Sequence, residues 1–154
     1  GYKFLGWSGA NLESSTEKTI LLSMVTNYEL TANFGTFTLT SISGIKDLGS
    51  NWYSSDWLGY FHFTNEIWCY HVEIGWLYTV PIDNDSLWAW SPKLGWLWLS
   101  SVAFGDGLAW SRDDGDWLYF YFEQLGSSRI YHYYNQAWTS FDPNEEISLE
   151  ESLF

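Results

Sequence analysis

The sequence predicts an all-β fold built from antiparallel β-hairpin repeats, preceded by a partial small β-sheet domain. Three observations lead to this prediction: a regular spacing of tryptophans, a period-two alternation of side chains, and polar turn segments between the alternating runs. Four tryptophans are separated by 20, 21 and 21 residues, and the first three open similar phrases: Trp76, Trp96, Trp117 and Trp138. This spacing is typical of a chain that repeats one supersecondary unit.

A second series of residues with nearly the same period lies between these tryptophans. Each of its members is an aromatic residue followed by histidine or serine: Tyr70-His71, Trp90-Ser91, Trp110-Ser111 and Tyr131-His132. Links rich in Gly, Asp, Asn and Ser separate the two series and fit hairpin loops. Each unit is therefore interpreted as strand, loop, strand and turn, and an irregular first copy covers residues 52–74.

The two faces of the strand that opens each unit differ in chemistry. Trp76 and Tyr78 share one face, while Leu77 and Thr79 share the other, and the strand that begins at Trp96 repeats the arrangement. A unit of about 20 residues cannot bury its own apolar face, so neighbouring hairpins must stack. We expect the stack to be a sandwich, a barrel or a solenoid of antiparallel hairpins.

The chain divides into four segments by pattern. We predict a partial β domain over residues 1–40, a connector over 41–51, the Trp-rich hairpin repeat domain over 52–141 and an acidic C-terminal tail over 142–154. Within the first segment, strands are predicted over residues 3–7, 19–25, 28–34 and 35–40, with a hairpin turn at 26–27.

The C-terminal tail has the signals that begin a helix. Asp142 is an N-cap residue, Pro143 fits the first helical position, and Glu145 adds a carboxylate to the first turn. A helix of this length is marginal alone. We therefore expect a short docked helical turn or an unstructured tail, and no strand from Ile147 onward.

The first region resembles a known bacterial repeat. The phrases GYKFLGWSG, TILLSM and NYELTANF, at residues 1–9, 19–24 and 27–34, are similar to the C-terminal half of the internalin-type B-repeat of bacterial surface proteins. The resemblance covers residues 1–34 and implies a cell-surface or secreted protein with an adhesive or structural role. It implies no catalytic residues.

The repeat region has a broader resemblance. Its Gly-Trp phrases resemble the aromatic repeats that end some secreted proteins of marine and environmental bacteria. They are also similar in period and composition to the hairpin repeats of cell-wall and choline-binding proteins. This resemblance covers residues 51–141, and no ligand residue is carried over from it.

Composition limits the classes of partner. The 154 residues carry 19 acidic and 6 basic side chains, for a net charge of −13. Nucleic-acid affinity depends on clustered basic side chains, so no nucleic-acid partner is expected. No stretch is long and apolar enough to predict membrane insertion. The 12 tryptophans and an aromatic content of 21% instead predict a folded chain with a large aromatic surface.

Few residues suggest chemistry of their own. The three histidines occur in strands among aromatic residues and lack a metal-ligand spacing, and Cys69 has no basic neighbour that would activate its thiol. We therefore expect no catalytic residue, no metal site and no cofactor, with Cys69 a small buried hydrophobe. Calcium is a weaker alternative at the acidic turns 83–85 and 113–116, where turn formation already explains the carboxylates.

The aromatic series is the feature that carries functional meaning. Its candidate ligand-binding residues are Trp76, Tyr78, Trp96, Trp98, Trp117 and Tyr119. The sequence favours a core role for these rings, because aromatic cross-strand pairs stabilise a sheet; an exposed platform that stacks against sugars is the alternative. The expected function is a non-catalytic extracellular module, structural or adhesive, whose partners are other chains or domains of a surface assembly. The alternative is a carbohydrate-binding module of an exported enzyme, with a polysaccharide as its partner.

Overall fold

The computed structural model describes residues 2–64, 67–122 and 128–145. The chain forms two compact units, Gly1–Phe37 and Thr38–Phe154. Each unit is built from β-strands, so the predicted all-β class is confirmed. In the described part of the chain, no helix has the length and apolar character needed to cross a membrane.

The first unit contains a two-stranded antiparallel sheet. Strand β1 (Tyr2–Ser8) pairs with β2 (Thr31–Thr36), and the register shifts between Phe4 and Gly6. The amide of Asn33 in β2 donates to Ser8 Oγ at 2.9 Å and to the Gly6 carbonyl oxygen at 3.3 Å. These side-chain bonds stabilise the pairing where the β1 backbone is irregular.

Three of the strand predictions in this unit are wrong in part or in whole. Residues 19–25 form no strand, and Leu21, Met24 and Val25 are exposed by 97%, 80% and 82%. Strand β1 pairs with β2, and its Trp7 also forms an isolated bridge with Ser15. Residues 19–25 pair with neither strand, so their apolar alternation does not produce a strand. The predicted turn at 26–27 is a bend at 25–26.

The next two predicted strands also have different bounds. The strand predicted over 28–34 begins at Thr31 and continues to Thr36, and no further strand covers 35–40. A short 3-10 turn, Leu39–Ser41, stands there instead and buries Leu39. Sequence alternation did not reveal this, because a single buried leucine fits a turn as well as a strand.

The second unit is one antiparallel sheet in which every strand pairs with its neighbours in sequence. Among the described residues it has 11 strands: β3 (Lys46–Gly49), β4 (Trp52–Ser55), β5 (Gly59–Phe63), β6 (Trp68–His71), β7 (Gly75–Pro81), β8 (Ser86–Ser91), β9 (Gly95–Ser100), β10 (Leu108–Ser111), β11 (Asp116–Phe122), β12 (Ser128–His132) and β13 (Ala137–Phe141). The prediction of consecutive antiparallel hairpins is confirmed. The sheet stays open, with β3 and β13 as its edge strands.

The segment predicted as a connector, residues 41–51, has structure of its own. It contributes strand β3, which pairs with β4, and Ile42, which is buried in the core. Among the Gly and Ser residues that suggested a linker, Ser43 and Gly44 form a turn before this strand, Gly49 ends the strand and Ser50 begins the turn after it. Composition alone does not distinguish a linker from a short edge strand.

The core of the second unit is formed by the aliphatic face of the sheet. Leu77 and Leu97 stand in register with small partners, Cys69 and Ala89, on the neighbouring strands. This face is almost fully buried: Phe61, Cys69, Leu77, Leu87, Ala89, Leu97, Leu99, Ala109, Leu118, Phe120 and Ile130. Loop residues such as Phe104 and Ile74 close over it.

The preference for a core role of the aromatic series is corrected by this arrangement. The tryptophans that open β7, β9 and β11 occupy equivalent positions and point to one common face, as predicted. That face is the outer one, and the rings are half-buried or exposed. Leucine fills the interior because its branched side chain packs densely between closely spaced strands.

The sheet curls so that its two halves meet. Strands β7 and β13 are six positions apart, which is about 29 Å in a flat sheet. Nevertheless, the hydroxyl of Tyr70 in β6 donates to Asn144 Oδ1 at 2.6 Å. A methyl group on Gly75 would lie 2.9 Å from the Pro143 carbonyl oxygen. The aliphatic face therefore lies on the inside of the curl, where it is shielded from water.

The residues after β13 form the turn that makes these contacts. Asp142 accepts a hydrogen bond from the Asn144 N–H at 2.8 Å, and its carbonyl accepts from Glu145. Lys93 donates to the Asp142 carbonyl. The expected docked turn thus exists over residues 142–145, although it is not assigned as a helix. The prediction for Ile147 onward falls outside the described residues.

Substitutions in the buried face and at exposed positions should lower the free energy of unfolding by different amounts. Leu97→Ala should lower the free energy of unfolding by about 2–5 kcal/mol, because it leaves a cavity in a fully buried site. Val102→Ala, on a side chain that is 85% exposed, should change it by less than about 0.5 kcal/mol. Urea titration followed by far-UV circular dichroism measures both values, and equal effects would contradict the assignment of the aliphatic face to the core.

Candidate functional site: the outward aromatic face

The side chains opposite the core form one broad aromatic surface, here called the outward aromatic face. Its register follows from the pairing of the strands, since Trp98 stands opposite Trp88 on one side and Trp110 on the other. It comprises Trp68, Tyr70, Trp76, Tyr78, Trp88, Trp90, Trp96, Trp98, Trp110, Trp117, Tyr119, Tyr121, Tyr131 and Trp138. All six predicted ligand-binding residues belong to it.

The rings of this face pack edge to face. Trp98 and Trp117 have ring centroids 6.3 Å apart at 68°, and Trp110 and Trp117 are 5.5 Å apart at 84°. Tyr78 and Trp96 are 6.1 Å apart at 88°. Such T-shaped pairs contribute about 0.5–1.5 kcal/mol each beyond the burial of their area. The face is therefore stabilised by its own contacts without a covering layer.

This packing decides what the face presents to solvent. Because neighbouring rings are nearly perpendicular, they form ridges and wedges and not one flat platform. Of the six predicted ligand-binding residues, Trp76 keeps 48% of its surface accessible and the other five are half-buried; Trp138, which was not among them, keeps 49%. A ligand would meet separate ring faces along the sheet, each framed by the edge of a neighbouring ring.

Charge is unevenly placed around the face. Arg129 lies 5.2 Å from the Trp138 ring and 5.3 Å from the Tyr121 ring, in cation–π geometry. Arg112 begins the β10–β11 turn, and its N–H donates to the Trp96 carbonyl oxygen at 2.9 Å. In a chain with a net charge of −13, these guanidinium groups give the aromatic face local positive charge and hydrogen-bond donors.

The second series of the sequence, aromatic residue then His or Ser, has a structural cause. At three of the four positions the His or Ser ends a strand, is buried, and accepts a backbone N–H from the following turn; the fourth, His132, contacts Asp114 and Thr139 through its ring nitrogens. Ser91 Oγ accepts from Lys93, Ser111 Oγ accepts from Asp114, and Ser55 Oγ accepts from Leu58. Sequence reasoning found the series without finding this role, although inward-pointing serines before Gly-containing turns are its signal.

The turn itself needs a residue with positive φ before the next strand. Gly95 has a φ of +66° and is followed directly by Trp96. A Cβ at this position would also meet the carboxylate of the exposed Asp113 side chain, which would have to turn aside. Gln136, φ 56°, takes the corresponding place between β12 and β13, where the Gly-Trp phrase is absent from the sequence.

His71 is the buried histidine of the series. Its Nε2–H donates to the Leu58 carbonyl oxygen, and its Nδ1 accepts from the Glu73 N–H at 3.2 Å. Both ring nitrogens are satisfied by one neutral tautomer. Complete burial lowers the pKa of His71 from 6.5 to about 4, which the bond to Leu58 only partly offsets.

The other histidines lie at partly exposed positions. His132 Nδ1 donates to Asp114 Oδ2 at 3.2 Å, and its Nε2 lies 2.9 Å from Thr139 Oγ1. The contact ties the β10–β11 turn to β12 and β13. His62 packs against Trp52 at a centroid distance of 5.2 Å. None of the three histidines shares a site with the others.

The thiol of Cys69 lies in the core between two aromatic residues of the outer face. It is 1% exposed, and burial raises its pKa to about 12. The thiolate that reacts with electrophiles is therefore not populated at neutral pH. This matches the interpretation of Cys69 as a small buried hydrophobe.

The acidic turns that were considered for calcium are engaged in turn hydrogen bonds. Asp83 Oδ1 accepts from the Asp85 N–H and from the Ser86 hydroxyl, both at 2.9 Å. Asp116 Oδ1 accepts from the Trp117 N–H at 2.7 Å. Among the described residues, no three His, Cys, Asp or Glu side chains are grouped closely enough to hold a metal ion.

Comparisons of the chain with protein-family models, curated proteins and solved structures yield no match.

The capping role of His71 predicts a pH dependence of stability. Folding favours the neutral ring, so its contribution is complete above pH 6.5 and is lost as the pH falls from 6.5 to about 4. The loss should be about 3 kcal/mol. His71→Ser places in this site the residue found at the equivalent Ser91 and Ser111, so it keeps a cap but does not titrate.

The measurement is the free energy of unfolding at pH 7, 5.5 and 4 for both proteins. The natural chain should lose more stability than the variant over this range, and the difference isolates His71 from the other titrating groups. Parallel losses in the two proteins would contradict the buried neutral His71.

Proposed function

We propose that this chain is a non-catalytic binding module of a bacterial surface or secreted protein, with a structural or adhesive role. The observation that carries the proposal is the outward aromatic face, a row of tryptophan and tyrosine rings turned away from a complete aliphatic core. A contiguous apolar surface of this kind marks an interaction site in a folded protein. The resemblance of residues 1–34 to a bacterial surface repeat supports the extracellular setting.

The energetics of the fold support an interaction role for this face. The aliphatic face already supplies the hydrophobic core, so outward tryptophans are not needed to fill an interior. Tryptophan and tyrosine bury large areas at low entropic cost when a partner covers them, and they are enriched at binding hot spots. The proposed partners are other chains of a surface assembly.

A carbohydrate-binding role is the second candidate. Ring faces framed by perpendicular neighbours, such as Trp88 and Trp96 at 6.5 Å and 81°, match the apolar C–H faces of sugar rings. Nearby guanidinium groups supply hydrogen-bond donors for hydroxyls. This candidate makes polysaccharide the partner and uses the same face.

Among the described residues, Thr139, His132 and Asp114 form a hydroxyl–imidazole–carboxylate arrangement like that of a catalytic triad. Its geometry supports the non-catalytic part of the proposal. The Thr139 hydroxyl lies within reach of the Ile130 carbonyl oxygen at 3.4 Å as well as of the imidazole. The carbonyl therefore competes with the base for the only hydroxyl proton. These three residues also link the β10–β11 turn to β12 and β13, which explains the arrangement as a structural contact.

The test is adsorption of the purified chain to insoluble cellulose, insoluble chitin and purified bacterial cell walls. The chain should sediment with at least one of them in a saturable way. The double variant Trp76→Ala/Trp138→Ala should weaken this adsorption at least tenfold, because it removes the two most exposed indoles of the face.

A matched control is Leu21→Ala/Met24→Ala, which removes exposed apolar surface from the first unit and should leave adsorption unchanged. Circular dichroism confirms that each variant is folded. Sedimentation velocity of the chain alone tests the assembly form of the proposal. Lack of adsorption together with a strictly monomeric chain would reject the binding role.

A further inference from the structure

One groove in the outward aromatic face has the shape of a ligand site. It has a volume of about 450 Å³ and is lined by Val80, Trp88, Trp96 and Arg112. These residues come from the three consecutive strands β7, β8 and β9 and from the β10–β11 turn, which together form one depression. Its volume is within the range of pockets that hold small ligands, about 300–1,000 Å³.

The groove exists because one outward position carries a small side chain. Counting along the outer face, β7 presents Trp76, Tyr78 and Val80, while β11 presents Trp117, Tyr119 and then Tyr121. Val80 stands in register with Trp88 on the next strand. Valine at this place leaves room above the backbone that a tyrosine would fill.

Two indoles form the walls of the groove. Trp88 and Trp96 have ring centroids 6.5 Å apart with their planes at 81°, so they make a right-angled wedge. Trp96 is supported on its other side by Tyr78, at 6.1 Å and 88°. The wedge is therefore held open by contacts within the protein, and a ligand would not need to order these rings on binding.

Arg112 supplies the polar group at the rim. Its backbone N–H donates to the Trp96 carbonyl oxygen at 2.9 Å, which places the arginine beside the wedge. The side chain is exposed, and within the described part of the chain its guanidinium makes no hydrogen bond or ion pair. A guanidinium has five N–H donors and no acceptor, so the groove calls for an acceptor-rich ligand.

The charges around the groove limit that ligand further. Asp113 and Asp114 follow Arg112 directly, and the whole chain carries a net charge of −13. A polyanion would be repelled on approach. Together, these features of the groove favour a ligand with apolar ring faces, several oxygen acceptors and little net negative charge.

We propose that the groove of Val80, Trp88, Trp96 and Arg112 binds one uncharged pyranose residue of a polysaccharide. The C–H face of the sugar packs against an indole of the wedge, and its ring and hydroxyl oxygens accept hydrogen bonds from Arg112. This inference rests on the proposed binding function of the outward aromatic face and deepens it by naming a subsite and a ligand class.

The first experiment uses soluble probes of defined charge: cellohexaose, mannohexaose and chitohexaose as neutral oligosaccharides, and hexagalacturonate as the acidic one. Quenching of tryptophan fluorescence and titration calorimetry measure binding at 20 mM and 500 mM NaCl. At least one neutral probe should bind in a saturable way that is insensitive to salt. Hexagalacturonate should bind more weakly than that neutral probe, and more weakly at 20 mM than at 500 mM NaCl, because salt screens its repulsion by the acidic chain.

The matched variants locate the site. Val80→Tyr should abolish neutral-probe binding by filling the groove, whereas Val72→Tyr adds the same ring at an exposed turn outside the lining and should have no effect. Arg112→Ala should weaken binding about threefold to tenfold through its lost hydrogen bonds. Lys46→Ala removes one positive charge at β3 and should leave binding unchanged.

The outcomes separate this inference from the proposed function. Normal binding by a folded Val80→Tyr chain, or by Arg112→Ala if the tyrosine variant fails to fold, overturns the groove while adsorption to insoluble material still supports the function. Absence of binding to all neutral probes, or tighter binding of hexagalacturonate, overturns the uncharged pyranose. Loss of adsorption to every insoluble material, together with a strictly monomeric chain, would instead remove the proposed function itself.

Discussion

The register of the large sheet depends on the buried side chains that cap the turns after β4, β6, β8 and β10. A serine or histidine at the strand end accepts a turn N–H, as Ser91 does from Lys93 and His71 from Glu73. The cap fixes where the strand stops and where the next one starts. A shift by one residue would turn every side chain to the opposite face. Leucines would then face water and tryptophans would be forced into a narrow interior, so this small polar contact maintains the division between the two faces.

The division of the faces explains how so aromatic a chain remains folded. Leucine, alanine and cysteine pack densely where neighbouring strands curl toward each other. The larger rings occupy the convex side, where the curvature separates their positions and edge-to-face contact becomes possible. Each ring is then partly covered by its neighbours and partly available to a partner. Stability and binding can therefore be altered separately, by substitutions on opposite sides of the same strand.

Much of this arrangement could be predicted from the sequence, for a physical reason. Hairpin pairing is local, so the spacing of Trp76, Trp96 and Trp117 translates directly into aligned positions on one face. Which face is inside could not be predicted, because both are apolar and the answer depends on the curl of the whole sheet. The groove at Val80 was missed as well, since it arises from register between strands. In the first unit, the alternation over residues 19–25 resembled a strand, but a strand forms only where a partner is present.

The turn that follows β13 has a consequence for how the second unit forms. All ladder pairs in the sheet join strands that are adjacent in sequence, and chains with such local contacts close small loops and fold quickly. The bond from Tyr70 to Asn144, by contrast, joins residues 74 positions apart. Its loop-closure entropy is compensated only after the intervening hairpins have formed. The turn at residues 142–145 is therefore expected to dock late, after the sheet has assembled hairpin by hairpin, and to hold the curl closed.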